Sequence, residues 1–353
     1  MSQFWSPAVR DLEPYVPGEQ PRDTVIKLNT NENPYPPAPG VAKVLADYPI
    51  DHLRRYPDPS SLALREALAA HYGVHVNQVF VGNGSDEVLA FAFKAFFCRE
   101  QPLAVPSISY SFYPVYCDFY GITPHKVPLT DSFEVDLDAF PTDNGGIVFA
   151  NPNAPTGHAH SRAAIEALLD KHTSRVVLVD EAYIDFGGES AIPLIERYPN
   201  LLVTGTFSKS RSLAGLRIGF AIGPADLIDG LDRVKDSFNS YPLDSVAVAA
   251  GVASIKDDAY YRACCASVIA TRERTTAALE ACGIEVLPSS ANFVFARPTT
   301  IEAGMLFDAL RARGILVRYF NKPGLDQFLR ISIGTDDEMD YLIDAVHAIV
   351  GEK

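Results

Sequence analysis

The sequence predicts an α/β protein: a large domain with a mostly parallel sheet flanked by helices, followed by a smaller α+β domain. Three observations carry this expectation. Short β-rich runs alternate with helix-period segments from about residue 75 to residue 222. Those runs are apolar almost throughout, as strands covered on both faces are. Beyond residue 282 the alternation gives way to a different order of strands and helices.

The 353 residues suffice for about two domains of ~150 residues each, and 47% hydrophobic content supplies a core without staples. Residues 1–44 show little period and read as an arm that joins the small domain. Its LNTNENPYPPAPG tract is dense in Asn and Pro, which make extended segments and turns. Phe4, Trp5, Tyr15 and Tyr35 imply that the arm packs on something, a second subunit included. The large domain is expected over 45–255. In it, Leu62–Tyr72 has helical spacing with Gly73 as a stop. QVFVGNGSDEVLAFAFKAFF then reads as strand, Gly-rich turn and helix, and LAVPSISYSFYPVYCDFYG repeats that order. GIVFANPNAPTG leads to a helix from Ser161 to Lys171, and RVVLVDEAYIDF and NLLVTGTFSK follow. Residues 256–282 form a connecting helix. In the small domain, 283–353, NFVFARP, GILVRYF and FLRISIG are strands, flanked by helices over Ile301–Arg313 and Asp336–Val350.

Composition excludes several classes. Cys98, Cys117, Cys264, Cys265 and Cys282 are too few and too irregular for a disulfide framework, and no Cys/His spacing suggests zinc. Arg10, Asp11 and Glu13 fall where a leader peptide would be apolar, and no window reaches ~18 apolar residues, so a cytoplasmic protein with no membrane partner is expected. A net charge of −14 disfavours nucleic acid and anionic lipid.

Against that acidic background the local cations and polar strand ends mark a pocket, because ligands of open α/β sheets bind beyond the carboxyl ends of the strands. The first such end is Gly82-Asn83-Gly84-Ser85-Asp86, either a tight turn capped by Ser85 or Asp86 or an anion cradle at a helix start. The others bring Tyr110, then Asn151 to Gly157, then Asp180 and Tyr183, then Ser208 and Lys209. Lys209 offers an amine that can attack a carbonyl, and Ser208 with Arg217 suits a phosphate. Asp180, at the end of an apolar run, needs a cation or several donors, and a protonated pyridine nitrogen would serve as well as a salt bridge or cap. Arg318 and Arg330 interrupt apolar strands and should either face a pocket awaiting an anion or find an edge or internal ion pair. His158, His160, Asp185 and Glu189 are assigned to the surface.

The ordered set NPNAPTG, DEAYIDF, FSKSRSLAGLRIGF and FLRISIG resembles the fold-type I aminotransferases dependent on pyridoxal 5′-phosphate. LEPYVPG, LNTNENPYP, RRYPDPS and GNGSDE narrow the resemblance to the histidinol-phosphate aminotransferases. The resemblance covers about Pro14 to Thr335. It implies that Lys209 holds the cofactor and moves the substrate proton, that Asp180 faces the ring nitrogen, that Tyr183 serves the ring hydroxyl, and that Asn153 is among the cofactor-binding residues. It implies that Tyr110 stacks on the ring and that Ser85, Asp86, Ser208 and Arg217 hold the phosphate, with Tyr56 arriving from the second subunit of a homodimer. Tyr15, Arg318 and Arg330 would bind the substrates, histidinol phosphate and glutamate or 2-oxoglutarate. The chain departs from the pattern at Ala154, where most relatives carry an Asn that contacts the ring hydroxyl. Two other enzyme readings keep the cofactor: an aromatic-amino-acid aminotransferase and a threonine-phosphate decarboxylase. A cofactor-binding protein without turnover is the reading from another class.

Overall fold

The computed structural model describes residues 3–351 except Asp11 and Asp23. Its strands are β1 (Ile26–Lys27), β2 (Val79–Asn83), β3 (Leu103–Pro106), β4 (Pro124–Val127), β5 (Ile147–Ala150), β6 (Val177–Asp180) and β7 (Leu201–Thr206). They continue with β8 (Ile218–Ile222), β9 (Ile284–Val286), β10 (Phe293–Pro298), β11 (Ile315–Leu316), β12 (Arg318–Tyr319) and β13 (Leu329–Ser332).

Seven strands form the large sheet, in the order β2-β8-β7-β6-β5-β3-β4. Every pairing is parallel except those of β8, which runs against both neighbours. Alternate residues of each strand serve opposite faces. Val79, Phe149, Val179 and Val203 meet the helices Leu62–Tyr72, Arg162–Lys171 and Ser245–Lys256, whereas Phe80, Val148, Leu178 and Leu202 meet Gly84–Ala92, Tyr113–Tyr120 and Ala225–Phe238. Burial on both faces is why the strand sequences lack polar alternation. At ~25 cal/mol per Å2, each such Val or Leu contributes roughly 1.5–3 kcal/mol, so this sheet is the rigid reference for everything at its edge.

A second sheet, β12-β13-β10-β9, is antiparallel. It packs with the helices Ala303–Ala312 and Asp336–Gly351 and with Cys265, Val268 and Leu279 of the long helix Asp258–Ala281. The arm joins this unit: β1 pairs in parallel with β11, and Leu28 is buried in the same cluster. Tyr35 packs there too, and the Tyr15 ring lies 4.9 Å from that of Phe112. Phe4 and Trp5 are exposed in the single chain. The helix starting at Gly84 has Asn83 as its cap, without a side-chain bond, so neither Ser85 nor Asp86 caps it. No helix among the described residues is long and apolar enough to cross a membrane.

Candidate active site

The five strand ends singled out in the sequence belong to β2, β3, β5, β6 and β7, all parallel, so their polar residues come out along one edge. β8 runs the other way and begins at that edge, and this puts Arg217 beside the end of β2. Two adjoining cavities open there, of about 150 and 180 Å3, sharing Thr30, Tyr110, Ala154, Tyr183 and Lys209.

The first cavity is lined by Ser85, Asp86, Asp180, Ser208 and Arg217. Its floor is the start of the helix at Gly84, whose free N–H groups favour an anion. Two glycines make this approach feasible. Gly84 has φ +80°, and a Cβ there would collide with the Arg217 guanidinium; a Cβ on Gly219 would collide with the Gly84–Ser85 backbone. Arg217 adopts a left-handed φ of 53° and donates from Nη2 to Asp86 Oδ2 at 2.9 Å. Tyr110 donates to the other Asp86 oxygen at 2.7 Å. Asp86 therefore orients both the guanidinium and the aromatic ring.

Asp180 is 4% exposed and, among the described residues, has no cation within ion-pair distance. It accepts from Tyr113 Oη at 2.9 Å, from Ala182 N at 3.3 Å and from Thr204 Oγ1 at 3.4 Å. These donors do not offset its desolvation: burial pushes the carboxyl up to about 6. A buried acid in that condition is stabilised by a cation at its open side, as a protonated ring nitrogen would be. The salt-bridge and cap alternatives for Asp180 are not what the geometry shows.

Lys209 Nζ lies 5.7 Å from the centre of the Tyr183 ring and donates to the Thr30 carbonyl at 3.2 Å, its one hydrogen bond among the described residues. A lysine without a carboxylate partner is free to form a covalent link. Asn33 Nδ2 holds the adjacent Lys209 and Ser210 carbonyls at 3.1 and 3.2 Å.

The second cavity is lined by Tyr15, Tyr110, Tyr183, Arg318, Lys322 and Arg330, and no carboxylate is among its lining residues. Arg330 donates to the Asn29 carbonyl at 3.0 Å, its guanidinium carbon lies 5.5 Å from the rings of Phe293 and Phe320, and its buried Nε has no partner. Burial pushes this guanidinium below its usual range. Arg318 sits on the edge strand β12 over Phe320, yet it faces this cavity and forms no ion pair among the described residues.

Two expected contacts fall elsewhere. Asn153 spends its amide on bracing: Nδ2 donates to the Ile108 carbonyl and Thr156 Oγ1, both at 3.1 Å, and Oδ1 accepts from Ser109. It lines neither cavity, so the expected cofactor contact at Asn153 is corrected to a loop brace. Tyr56 is 82% exposed, stacked on Tyr241 at 4.8 Å and outside both cavities of its own chain. Three surface assignments also change. His158 and His160 turn inward with buried, unpartnered Nε2 atoms, and burial pushes both imidazoles down. Asp185 is half-buried and accepts from Ser210 Oγ at 2.5 Å.

Sequence reasoning missed the arm's contribution. Asn29, Thr30, Asn31 and Asn33 hold Arg330, Lys209, Tyr183 and the Lys209 carbonyl respectively. The Asn31 and Asn33 contacts are made by side chains, for which the Asn-rich composition was a usable signal, whereas Asn29 and Thr30 act through backbone carbonyls that composition does not mark.

The sequence model for aminotransferase class I and II matches residues 23–346. The chain is 67% identical over 349 residues to histidinol-phosphate aminotransferase of Chromohalobacter salexigens, covering 99% of each chain. It is 56% identical over 348 residues to histidinol-phosphate aminotransferase 1 of Pseudomonas aeruginosa, covering 98% of this chain and 99% of that one. Its fold matches a solved histidinol-phosphate aminotransferase from Sinorhizobium meliloti, in complex with pyridoxal-5′-phosphate, with a TM-score of 0.90. The two chains are 24% identical, and the match covers 100% of this chain and 99% of that one.

Proposed function

The chain belongs to the class I and II aminotransferases, and from that premise we propose that it exchanges nitrogen between L-histidinol phosphate and 2-oxoglutarate in histidine biosynthesis. The observation that carries the substrate choice is the second cavity, where Arg318 and Arg330 stand without a carboxylate partner and Arg330 keeps an unsatisfied buried Nε. A planar guanidinium fork in that state selects phosphate or carboxylate over an apolar side chain.

The cofactor is pyridoxal 5′-phosphate, and the first cavity fits it at each polar end. Ser208, Arg217 and the helix start at Gly84–Asp86 would hold the phosphate, Asp180 the ring nitrogen, Tyr183 the ring hydroxyl, and Tyr110 the ring face. When bound, the cofactor supplies an aldehyde that accepts the amino group and a ring that withdraws electrons from the substrate α-carbon. Lys209 Nζ would anchor the cofactor and would serve as the base that takes the substrate α-proton and returns it in the other half of the exchange. Asp180, ionised, would favour the protonated form of the ring nitrogen. Tyr15 would close the substrate side. The small unit, 283–353 with the arm of 1–44, would then carry the substrate arginines against the cofactor-bearing unit of 45–255, through the helix of 256–282. We place the enzyme in the cytoplasm as a homodimer in which Tyr56 reaches the partner's phosphate cup.

The test is a half-reaction screen on protein loaded with cofactor, following near-visible absorbance. Glutamate and histidinol phosphate should each bleach the band, phenylalanine and threonine phosphate should do so poorly, and Lys209→Ala should bind cofactor without exchange. A faster response to phenylalanine, or release of carbon dioxide from threonine phosphate, would move the assignment to those substrates.

A further inference from the structure

Among the described residues the Tyr183 hydroxyl is hydrogen-bonded by a single side chain, that of Asn31 at the wall of the second cavity, and every polar group of that side chain is committed. Asn31 is 1% exposed with a left-handed φ of 57°. Its N–H donates to Ser332 Oγ at 2.9 Å, and its carbonyl accepts from Asn292 Nδ2 at 3.0 Å. The Ser332 hydroxyl, having accepted that N–H, donates its own hydrogen to Asn31 Oδ1 at 3.0 Å. Nδ2 is left facing Tyr183 Oη, to which it donates at 3.0 Å. A phenol oxygen that accepts from one side must send its hydrogen another way, and a donor on that oxygen strengthens the hydrogen bond it gives. The other way is the cavity, which Tyr183 lines together with Ala154, a residue with no polar side chain.

We propose that Asn31 is a positioning residue, aiming and polarising the Tyr183 hydroxyl so that this one contact serves the cofactor's ring hydroxyl where Ala154 offers none. The inference rests on the cofactor assignment above. Its specific claim is that Asn31, although it also lines the second cavity, acts on the cofactor's ring oxygen through Tyr183.

The near-visible band of bound cofactor titrates as its lysine-linked nitrogen loses a proton, which leaves more negative charge on the ring oxygen. A hydrogen-bond donor to that oxygen favours the deprotonated form, so weakening the donor raises the midpoint. The charged groups around it, Glu32, Asp86, Asp180, Lys209 and Arg217 in one cavity and Arg318, Lys322 and Arg330 in the other, are unchanged within each comparison. Asn31→Gly removes the amide and tolerates the left-handed backbone. It should raise the midpoint by about half a pH unit in wild type, and not at all in Tyr183→Phe. Ala154→Asn should lower the midpoint and restore it in the Asn31→Gly background. Ser332→Ala, which leaves the amide in place but unpinned, should shift the midpoint in the same direction as Asn31→Gly if that variant does not fold. An unchanged midpoint in Asn31→Gly and Ser332→Ala, or an equal shift with and without the Tyr183 hydroxyl, would overturn the proposal. A protein with no near-visible band would instead overturn the cofactor assignment on which it stands.

Discussion

Asp180 and Glu181 are neighbours at the end of β6, both 4% exposed, and only Asp180 opens on a cavity. Glu181 accepts from Ser190 Oγ and the Ala191 N–H, each at 2.6 Å, and burial pushes its carboxyl up to about 8. A carboxyl raised in this way keeps its proton in the folded chain after the unfolded chain has lost it near pH ~4.3. Folded protein then binds more protons across the window from ~4.3 to about 8, and stability falls as pH rises through it. Glu181→Gln keeps a neutral group there at all pH values. The melting temperature of Glu181→Gln relative to wild type should therefore rise by a few degrees between pH 5 and pH 9, read by calorimetry. A constant difference would show that Glu181 is not protonated in the folded chain. At this scale the sequence pointed to Asp180 because an acid after four apolar residues is costly, but nothing in it separated Asp180 from Glu181. That difference depends on Tyr113, Ser190 and Ala191, which chain order does not place beside them.

The start of the Gly84 helix is where an element, and no single side chain, makes the binding feature. Its N–H groups can serve as the proposed phosphate cup only because Gly219 on β8 lets the backbone come close and Gly84 leaves room for Arg217. Gly84→Ala forces a Cβ residue to φ +80° and displaces the guanidinium from Asp86. The strain costs roughly 1–2 kcal/mol, and pyridoxal phosphate should bind about tenfold more weakly, measured by cofactor absorbance on titration. Unchanged affinity would place the phosphate elsewhere. The large sheet and its polar strand ends were legible because strands buried on both faces write continuous apolar runs. The reversed direction of β8 was not, since an apolar run reads the same either way. The arm was harder still. β1 is two residues long, and after it the Asn29 and Thr30 carbonyls hold Arg330 and Lys209 while the Asn31 side chain holds Tyr183, contacts that bridge some 150 to 300 positions of sequence. At Asn153 the sequence misled, because in a loop the amide that braces the backbone and the amide that meets a ligand have the same composition signature.

Assembly is the scale at which a single chain leaves its own surface unexplained. Ile50, Leu53, Tyr56 and Phe238 are 74%, 54%, 82% and 77% exposed, and Tyr56 stacks on Tyr241 without lining either active-site cavity of its own chain. Large apolar side chains left in water at this density fit a surface covered by a second copy. If Tyr56 completes the partner's cup, two defective variants should repair one another. Tyr56→Phe has an intact Lys209 but gives a poor phenyl to its partner, whereas Lys209→Ala is inactive but still offers Tyr56. A mixed dimer contains one site with both groups whole, so co-refolding the two variants should raise activity several-fold above the sum of the separate proteins, and light scattering should report a dimer throughout. If Tyr56 instead served its own chain, the Lys209-bearing site of every mixed dimer would still lack it, and mixing would yield no more than the average of the two preparations.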